Sequence, residues 1–220
     1  MQSVGVIGAG QMGAGIAQVS AQAGYHVLLA DVTKERADAG KAGIAAQLAR
    51  AVSKEKITAE AMDQALARIE TIEGPSAMGK CGLIIEAATE REEIKRAIFA
   101  EVGKVLGAHA VLASNTSSIP ITRLAQATPD PKRFIGVHFF NPVPVMGLIE
   151  IIRGLATSDE TVTLIETYAA ALGKQVVPHV SVNPRILGGL VVRVGDTVMD
   201  GSVQRRLSLL RSRLRGQAVR

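Results

Sequence analysis

The chain has 220 residues, of which 47% are hydrophobic and 20% charged, which suits one medium domain or two small ones and excludes a disordered or fibrous protein. Aromatic residues make up only 3%, with no Trp, which argues against base stacking on nucleic acid, and a single cysteine, Cys81, excludes an internal disulfide and a multi-cysteine metal site; neither a nucleic-acid partner nor a metal is expected. The net charge of +5 is local: from Pro184 onward there are eight Arg, no Lys and two acids (Asp196, Asp200), while residues 1–183 are close to neutral.

In chain order, Ser3-Val4-Gly5-Val6-Ile7 reads as a buried strand, broken by Gly8-Ala9-Gly10-Gln11-Met12-Gly13. A helix follows, with Ile16, Val19 and Ser20 at helical spacing and Gly24 as its C-cap. Tyr25–Ala30 reads as a second strand with Asp31 at its end, and the Ala-rich segments 33–51 and 57–68 as two helices. Strand-like runs recur at Gly82–Ala87, Ala110–Ala113, Phe134–Val137 and Leu148–Ile152, with helices at 91–106, about 120–127 and 158–172. This alternation predicts an α/β fold with a doubly wound, mainly parallel sheet covered on both faces. Every apolar run is interrupted by charge before the roughly 20 residues a membrane helix needs, and Met1–Gly5 lacks the character of a signal peptide, so no membrane span and a cytoplasmic location are expected.

Gly8, Gly10 and Gly13 form a GxGxxG pattern in the context that gives it meaning, after a strand, opening a helix, with Asp31 at the next strand end 23 residues past Gly8. Gly8 permits the tight turn, Gly10 lets the backbone approach a pyrophosphate at the helix N-terminus, and Gly13 lets helix and strand pack closely. Asp31 would accept hydrogen bonds from ribose hydroxyls and repel a 2′-phosphate, which favours NAD over NADP. The alternative is a glycine turn beside a solvated acid. Further on, Ser114-Asn115-Thr116-Ser117-Ser118 follows a strand ending at Ala113, and His138 ends the strand from Arg133. Glu150 lies in the apolar run Leu148–Ile152, where a carboxylate needs a partner. His138 and Glu150 together have the logic of a general base oriented by an acid.

Residues 1 to about 177 closely resemble the NAD-binding domain of bacterial 3-hydroxyacyl-CoA dehydrogenases, through Val6–Gly13, Glu86-Ala87-Ala88-Thr89-Glu90, Ser114–Ser118 and His138-Phe139-Phe140-Asn141-Pro142-Val143-Pro144. The resemblance implies a Rossmann-type domain and Ser117, His138 and Glu150 as catalytic positions. It implies cofactor contacts at Gly8, Gly10, Gln11, Met12, Gly13, Asp31, Ala88, Glu90, Lys95, Asn115, Ser117 and Asn141. For the acyl-CoA it implies Lys56, Ser117 and His138. The implied reaction is reversible NAD-dependent oxidation of a (3S)-3-hydroxyacyl-CoA, such as 3-hydroxybutyryl-CoA, to the 3-ketoacyl-CoA, in fatty acid or butanoate metabolism.

After Val177 the chain departs from that family, whose all-helical second domain is of about 100 residues. Gly147 stands where family members often carry a lysine, and Asn183 lacks the surroundings of the family's substrate-binding asparagine. Two modules are expected, 1–177 and an atypical basic tail, 178–220. Within the tail, Leu190–Val194 and Thr197–Asp200 flank Gly195-Asp196 in a hairpin pattern. Asp200-Gly201-Ser202 then caps a helix with Val203, Leu207, Leu210 and Leu214 on one face and Arg205, Arg206, Arg211, Arg213 and Arg215 over the rest. Residues about 182–214, from Ile186-Leu187-Gly188-Gly189-Leu190 through Asp200-Gly201-Ser202 to Leu214, resemble the C-terminal end of the ATP synthase delta subunit. Two functional readings follow: a dehydrogenase, or a non-catalytic NAD-binding protein whose tail docks on a partner subunit. The short tail predicts NADH binding without efficient turnover, and self-association through surface that a second domain would cover.

Overall fold

The computed structural model describes residues 1–180, 188, 191–194, 197–200, 202–205, 207–208 and 210–211. In chain order the first 180 residues give β1 (Ser3–Ile7), α1 (Gln11–Gln22), β2 (His26–Asp31), α2 (Lys34–Ser53), α3 (Ala59–Ala67), β3 (Ile69–Glu73) and β4 (Leu83–Glu86). They continue with α4 (Glu92–Gly103), β5 (Val111–Ser114), α5 (Ile121–Ala125), β6 (Phe134–Phe139), β7 (Leu148–Arg153), α6 (Asp159–Ala171) and β8 (Gln175–Val180). β4 and β5 are buried at every position, as strands covered on both faces must be. Helix starts follow side-chain chemistry: Thr33, Thr58 and Ser158 each accept a first-turn N–H at the heads of α2, α3 and α6.

The eight strands form one sheet in the order β3-β2-β1-β4-β5-β6-β7-β8. β3 through β6 run parallel, β7 pairs antiparallel with β6, and β8 runs parallel to β7. The winding goes outward from β1 to β3 and returns to β4 at the other side of β1. That reversal opens a crevice at the carboxyl ends of β1 and β4, where Ile7 stands opposite Glu86. Alternating strand positions feed two cores. Val4, Val6, Leu29 and Ile85 pack with Ile16, Ile44, Leu48 and Tyr168 on one face. Ile7, Leu28, Ala30 and Ile84 pack with Phe99, Val102, Leu124 and Phe134 on the other.

Two strands lie outside those read from the sequence. β3 carries Glu70 and Glu73 and has a partner on one side only, so its pattern is that of a polar edge. β8 is the opposite edge and contains Pro178, which donates no N–H and is tolerated where one flank is unpaired.

Met1–Val180 form one compact unit and Ser181–Arg220 a second. In the second, β9 (Val191–Val194) pairs antiparallel with β10 (Thr197–Asp200). Ser202 Oγ accepts from Arg205 N at 3.1 Å, and 203–205, 207–208 and 210–211 are helical. Val203, Leu207 and Leu210 are exposed. Asn183, Arg206, Arg213, Leu214 and Arg215 lie outside the described residues. Among the described residues no helix is long and apolar enough to cross a membrane.

Candidate functional site: a dinucleotide crevice with a His–Glu pair

The crevice begins at the β1–α1 turn. Gly8 has φ +98°, and a Cβ there would stand 2.5 Å from Ala88 Cα. Gly13 is closer still: its Cβ would meet the Gly8 carbonyl oxygen at 1.7 Å, so α1 reaches its place against β1 only without a side chain there. Gly10 is the opposite case, with open space within 4 Å of a Cβ. It heads α1 without a side-chain cap, which leaves the first-turn N–H groups without an intrahelical acceptor. An open, side-chain-free cradle at a helix N-terminus fits a pyrophosphate. Gln11 Nε2 donates to Asn141 Oδ1 at 3.1 Å, linking this turn to the loop after β6.

Asp31, at the end of β2, accepts from Ala9 N at 2.7 Å and Val32 N at 2.8 Å, and pairs with Arg36 Nε at 2.9 Å. Its carboxylate is thereby fixed at the β2 end of the crevice. Arg36 had no signal in the sequence, since the pair joins a strand end to a helix five residues on.

The other half is a cavity of about 400 Å³ whose walls include Met12, Ala88, Glu90, Asn115, Ser117, His138 and Asn141. Glu90 organises one wall. Its Oε1 accepts from Thr116 Oγ1 (2.6 Å), Ser117 N (2.9 Å) and Oγ (3.2 Å), and Ser118 N (3.2 Å) and Oγ (3.0 Å). Desolvation would raise this carboxyl, but those hydrogen bonds and the nearby Lys95 charge outweigh it and hold the pKa at about 2. Ser117 therefore stands in the wall with its hydroxyl turned to Glu90. Asn115 Oδ1 accepts from Phe139 N at 2.8 Å, pinning the β5 end to β6 beside His138.

Lys95 does not line the cavity. It is 1% exposed, with Nζ 2.6 Å from Glu86 Oε2 and 3.3 Å from Ser114 Oγ, and reaches the cavity wall only through Glu90, at 3.7 Å. An ammonium so deeply buried is compensated by the buried Glu86 carboxylate beside it. Glu86, itself fully buried at the end of the apolar β4, was missed, although the reasoning applied to Glu150 would have found it.

His138 and Glu150 are directly paired in the antiparallel β6–β7 register. Nδ1 lies 3.2 Å from Glu150 Oε2, with both side chains partly exposed. The carboxylate selects the tautomer protonated at Nδ1 and leaves Nε2 as the ring atom for proton exchange in the cavity. The β6–β7 loop is held from below by Lys174, whose Nζ donates to Val143 O at 2.7 Å and Met146 O at 2.5 Å; burial lowers its pKa. Gly147 has open space within 4 Å of a Cβ, so a larger residue would be accommodated there. Lys56 sits exposed on the α2–α3 turn, beside Glu55 with φ 54°, and forms no part of the cavity wall. Among the described residues no cluster of His, Cys, Asp or Glu could hold a metal ion.

Residues 3–182 match the family model of the 3-hydroxyacyl-CoA dehydrogenase NAD binding domain. Residues 155–214 match that of the ATP synthase delta (OSCP) subunit, a match that starts upstream of the tail and overlaps the first. The chain is 54% identical over 176 residues to the 3-hydroxybutyryl-CoA dehydrogenase of Bradyrhizobium diazoefficiens, covering 80% of this chain and 60% of that protein. The crystal structure of (S)-3-hydroxybutyryl-CoA dehydrogenase PaaH1 from Ralstonia eutropha aligns with TM-score 0.80 at 43% identity, over 85% of this chain and 68% of that one. FadB2 of Mycobacterium tuberculosis aligns with TM-score 0.79 at 46% identity, over 82% and 64%. The chain thus spans about 60% of the length of the curated relatives it matches. Its glycine cradle, its strand-end acid and its His–Glu pair stand on the sheet these relatives share, and the chain belongs to the 3-hydroxyacyl-CoA dehydrogenase family through its NAD-binding domain.

Proposed function

We propose that this chain is the cofactor-binding and proton-transfer half of an NAD-dependent dehydrogenase that interconverts a short-chain (3S)-3-hydroxyacyl-CoA and its 3-ketoacyl-CoA. The observation that carries this reading is the His138–Glu150 pair, 3.2 Å apart, with His138 in the wall of the cavity reached from the glycine cradle. Gly8, Gly10, Gln11, Met12 and Gly13 would hold the pyrophosphate of NAD, Asp31 its adenosine ribose, and Ala88, Glu90, Asn115, Ser117 and Asn141 its nicotinamide half. When bound, NAD supplies the acceptor for the hydride leaving C3. His138 Nε2 takes the hydroxyl proton, and Glu150 stabilises the resulting imidazolium through Nδ1. Ser117 accepts or donates at the reacting oxygen once its hydroxyl turns from Glu90. Lys56 is assigned to the CoA arm from family resemblance alone.

Acetoacetyl-CoA and NADH, followed by loss of NADH absorbance, test this function. His138→Ala should lower the rate by roughly 10²–10⁴ while leaving NADH binding intact. An unchanged rate in that variant would remove His138 from the mechanism.

A second reading has its own support in the match of 155–214 to the delta (OSCP) subunit model. There the domain binds NADH without turnover, and the tail docks on a partner or a second copy. The same titration and assay, with light scattering on the same sample, separate the two: NADH binding with no turnover and a mass above the monomer favours the second. The proposed location is the cytoplasm.

A further inference from the structure

The acid that reads the ribose is not free to do so alone. Asp31 offers about four acceptor sites on two oxygens. Oδ1 accepts from Val32 N at 2.8 Å and from Arg36 Nε at 2.9 Å, so both of its sites are taken. Oδ2 accepts from Ala9 N at 2.7 Å and has one site left. A ribose with two adjacent hydroxyls needs two acceptors, so its full engagement requires one of the three donors to leave. The Ala9 and Val32 amides are fixed by the β1–α1 turn and the β2 end. Arg36 is a side chain 68% exposed, on a flexible stem, and is the donor that can leave.

Arg36 is also singular among its neighbours. Lys34, one turn edge away, is held by Asp38 at 3.0 Å and by Thr71 at 3.1 Å. Glu35 points its charge at the helix start, where hydrogen bonds from its own backbone N–H and Thr33 keep its pKa low. Arg36 has the Asp31 carboxylate as its one described ion-pair partner. Its guanidinium is planar and presents several donors, the geometry that phosphate oxygens match.

We infer that Arg36 is a specificity-determining residue that works against Asp31: it occupies an acceptor the ribose diol of NAD needs, and it offers the cation that a 2′-phosphate of NADP would meet. The preference for NAD is then the difference between an acid that repels the phosphate and an adjacent arginine that attracts it. The inference rests on the assignment of this crevice to NAD. It makes two claims that Asp31 alone does not: removing Arg36 sharpens discrimination, and removing the Asp31 charge reverses it only while Arg36 remains.

The test is a fluorescence titration of NADH and NADPH into the unmodified chain, Arg36→Ala, Asp31→Ser and Asp31→Ser/Arg36→Ala, which needs no turnover. Arg36→Ala should weaken NADPH by about threefold to tenfold, the size of one partly exposed charge-assisted contact, and leave NADH equal or tighter. Asp31→Ser should tighten NADPH by about tenfold, and the double variant should lose that gain. Arg36→Glu reads the same quantity with Asp31 intact, and should weaken NADPH further than Arg36→Ala should Asp31→Ser not fold. Equal losses for both nucleotides in Arg36→Ala, or a gain in Asp31→Ser that survives removal of Arg36, overturns the inference. Failure of the unmodified chain to bind NADH overturns the cofactor assignment itself.

Discussion

Two alanine substitutions in the same turn should separate packing from cofactor binding. At Gly13 an added Cβ would lie 1.7 Å from the Gly8 carbonyl oxygen, whereas an ordinary contact begins at 3.4 Å. The Cβ position is set by the α1 backbone and its neighbour is a backbone oxygen, so no rotamer change relieves the clash. Gly8 cannot retreat, because its own φ of +98° and the Ala88 Cα beside it fix the turn. α1 must move off β1 by well over 1 Å, taking Ile16 and Ala17, both fully buried, with it. Overpacking costs about 1–3 kcal/mol, and a backbone clash belongs at the top of that range, so Gly13→Ala should cost about 3 kcal/mol. With a urea slope of about 1–3 kcal/mol/M, the unfolding midpoint should fall by about 1–3 M. Gly10→Ala meets nothing within 4 Å, and its φ of −69° suits alanine. Loss of a glycine N-cap and the reduced entropy of the unfolded chain act in opposite directions, so stability should stay within about 1 kcal/mol. The new methyl occupies the space through which a pyrophosphate approaches the α1 N–H groups, and NADH affinity should drop at least tenfold, about 1.4 kcal/mol. Urea unfolding by circular dichroism and NADH titration on both variants make the comparison. A Gly13→Ala midpoint equal to that of the unmodified chain, or a Gly10→Ala chain that binds NADH normally, would refute the packing argument or the cradle assignment respectively.

Three further outcomes follow from the same geometry. Lys95→Met leaves the fully buried Glu86 carboxylate without its cation and should destabilise the domain by about 3–5 kcal/mol; Lys95→Met/Glu86→Gln should recover much of this in urea unfolding. Glu90 has a folded pKa of about 2 against an ordinary 4.5, so its contribution to stability is complete above 4.5 and is lost as pH falls through 2. The stability gap between the unmodified chain and Glu90→Gln should therefore be constant near neutrality and close between pH 4.5 and 2; a gap that persists to pH 2 speaks against the clamp on 116–118. Lys174→Met strands the Val143 and Met146 carbonyls, at about 1–3 kcal/mol, and should speed hydrogen exchange at Val145 and Met146, whose N–H groups both bond Pro142 O.

The parts of this site that could be read in the sequence are those whose geometry is local. Gly8, Gly10 and Gly13 act within one turn, and the strand before and helix after them announce themselves by apolar run and period, so turn, cradle and Asp31 fall where the motif requires. β3 and β8 escaped because an edge strand is under weaker patterning pressure: one flank is unpaired, and acids or a proline are admitted there. The burial of Lys95 escaped for a related reason: the resemblance alone places this lysine near the cofactor, and its burial follows only once β4 and β5 are neighbours, which puts Glu86 opposite Ser114 and both oxygens under Nζ.

His138 and Glu150 show where sequence reasoning becomes a statement about three dimensions. Twelve residues of separation specify no contact in themselves. Contact follows from the antiparallel register of β6 and β7, in which a slip of one residue would turn Glu150 to the opposite face of the sheet and leave His138 opposite Ile149 or Ile151. Two things oppose that slip. Ile149 and Ile151 are fully buried, and a slip would exchange their places with Glu150 and the partly exposed Ile152. The loop that sets the register is tied at Val143 and Met146 to the Lys174 ammonium. The His138–Glu150 pair is thus specified less by its own two residues than by the isoleucines between which Glu150 stands and by a lysine thirty-six positions from the histidine it helps to place.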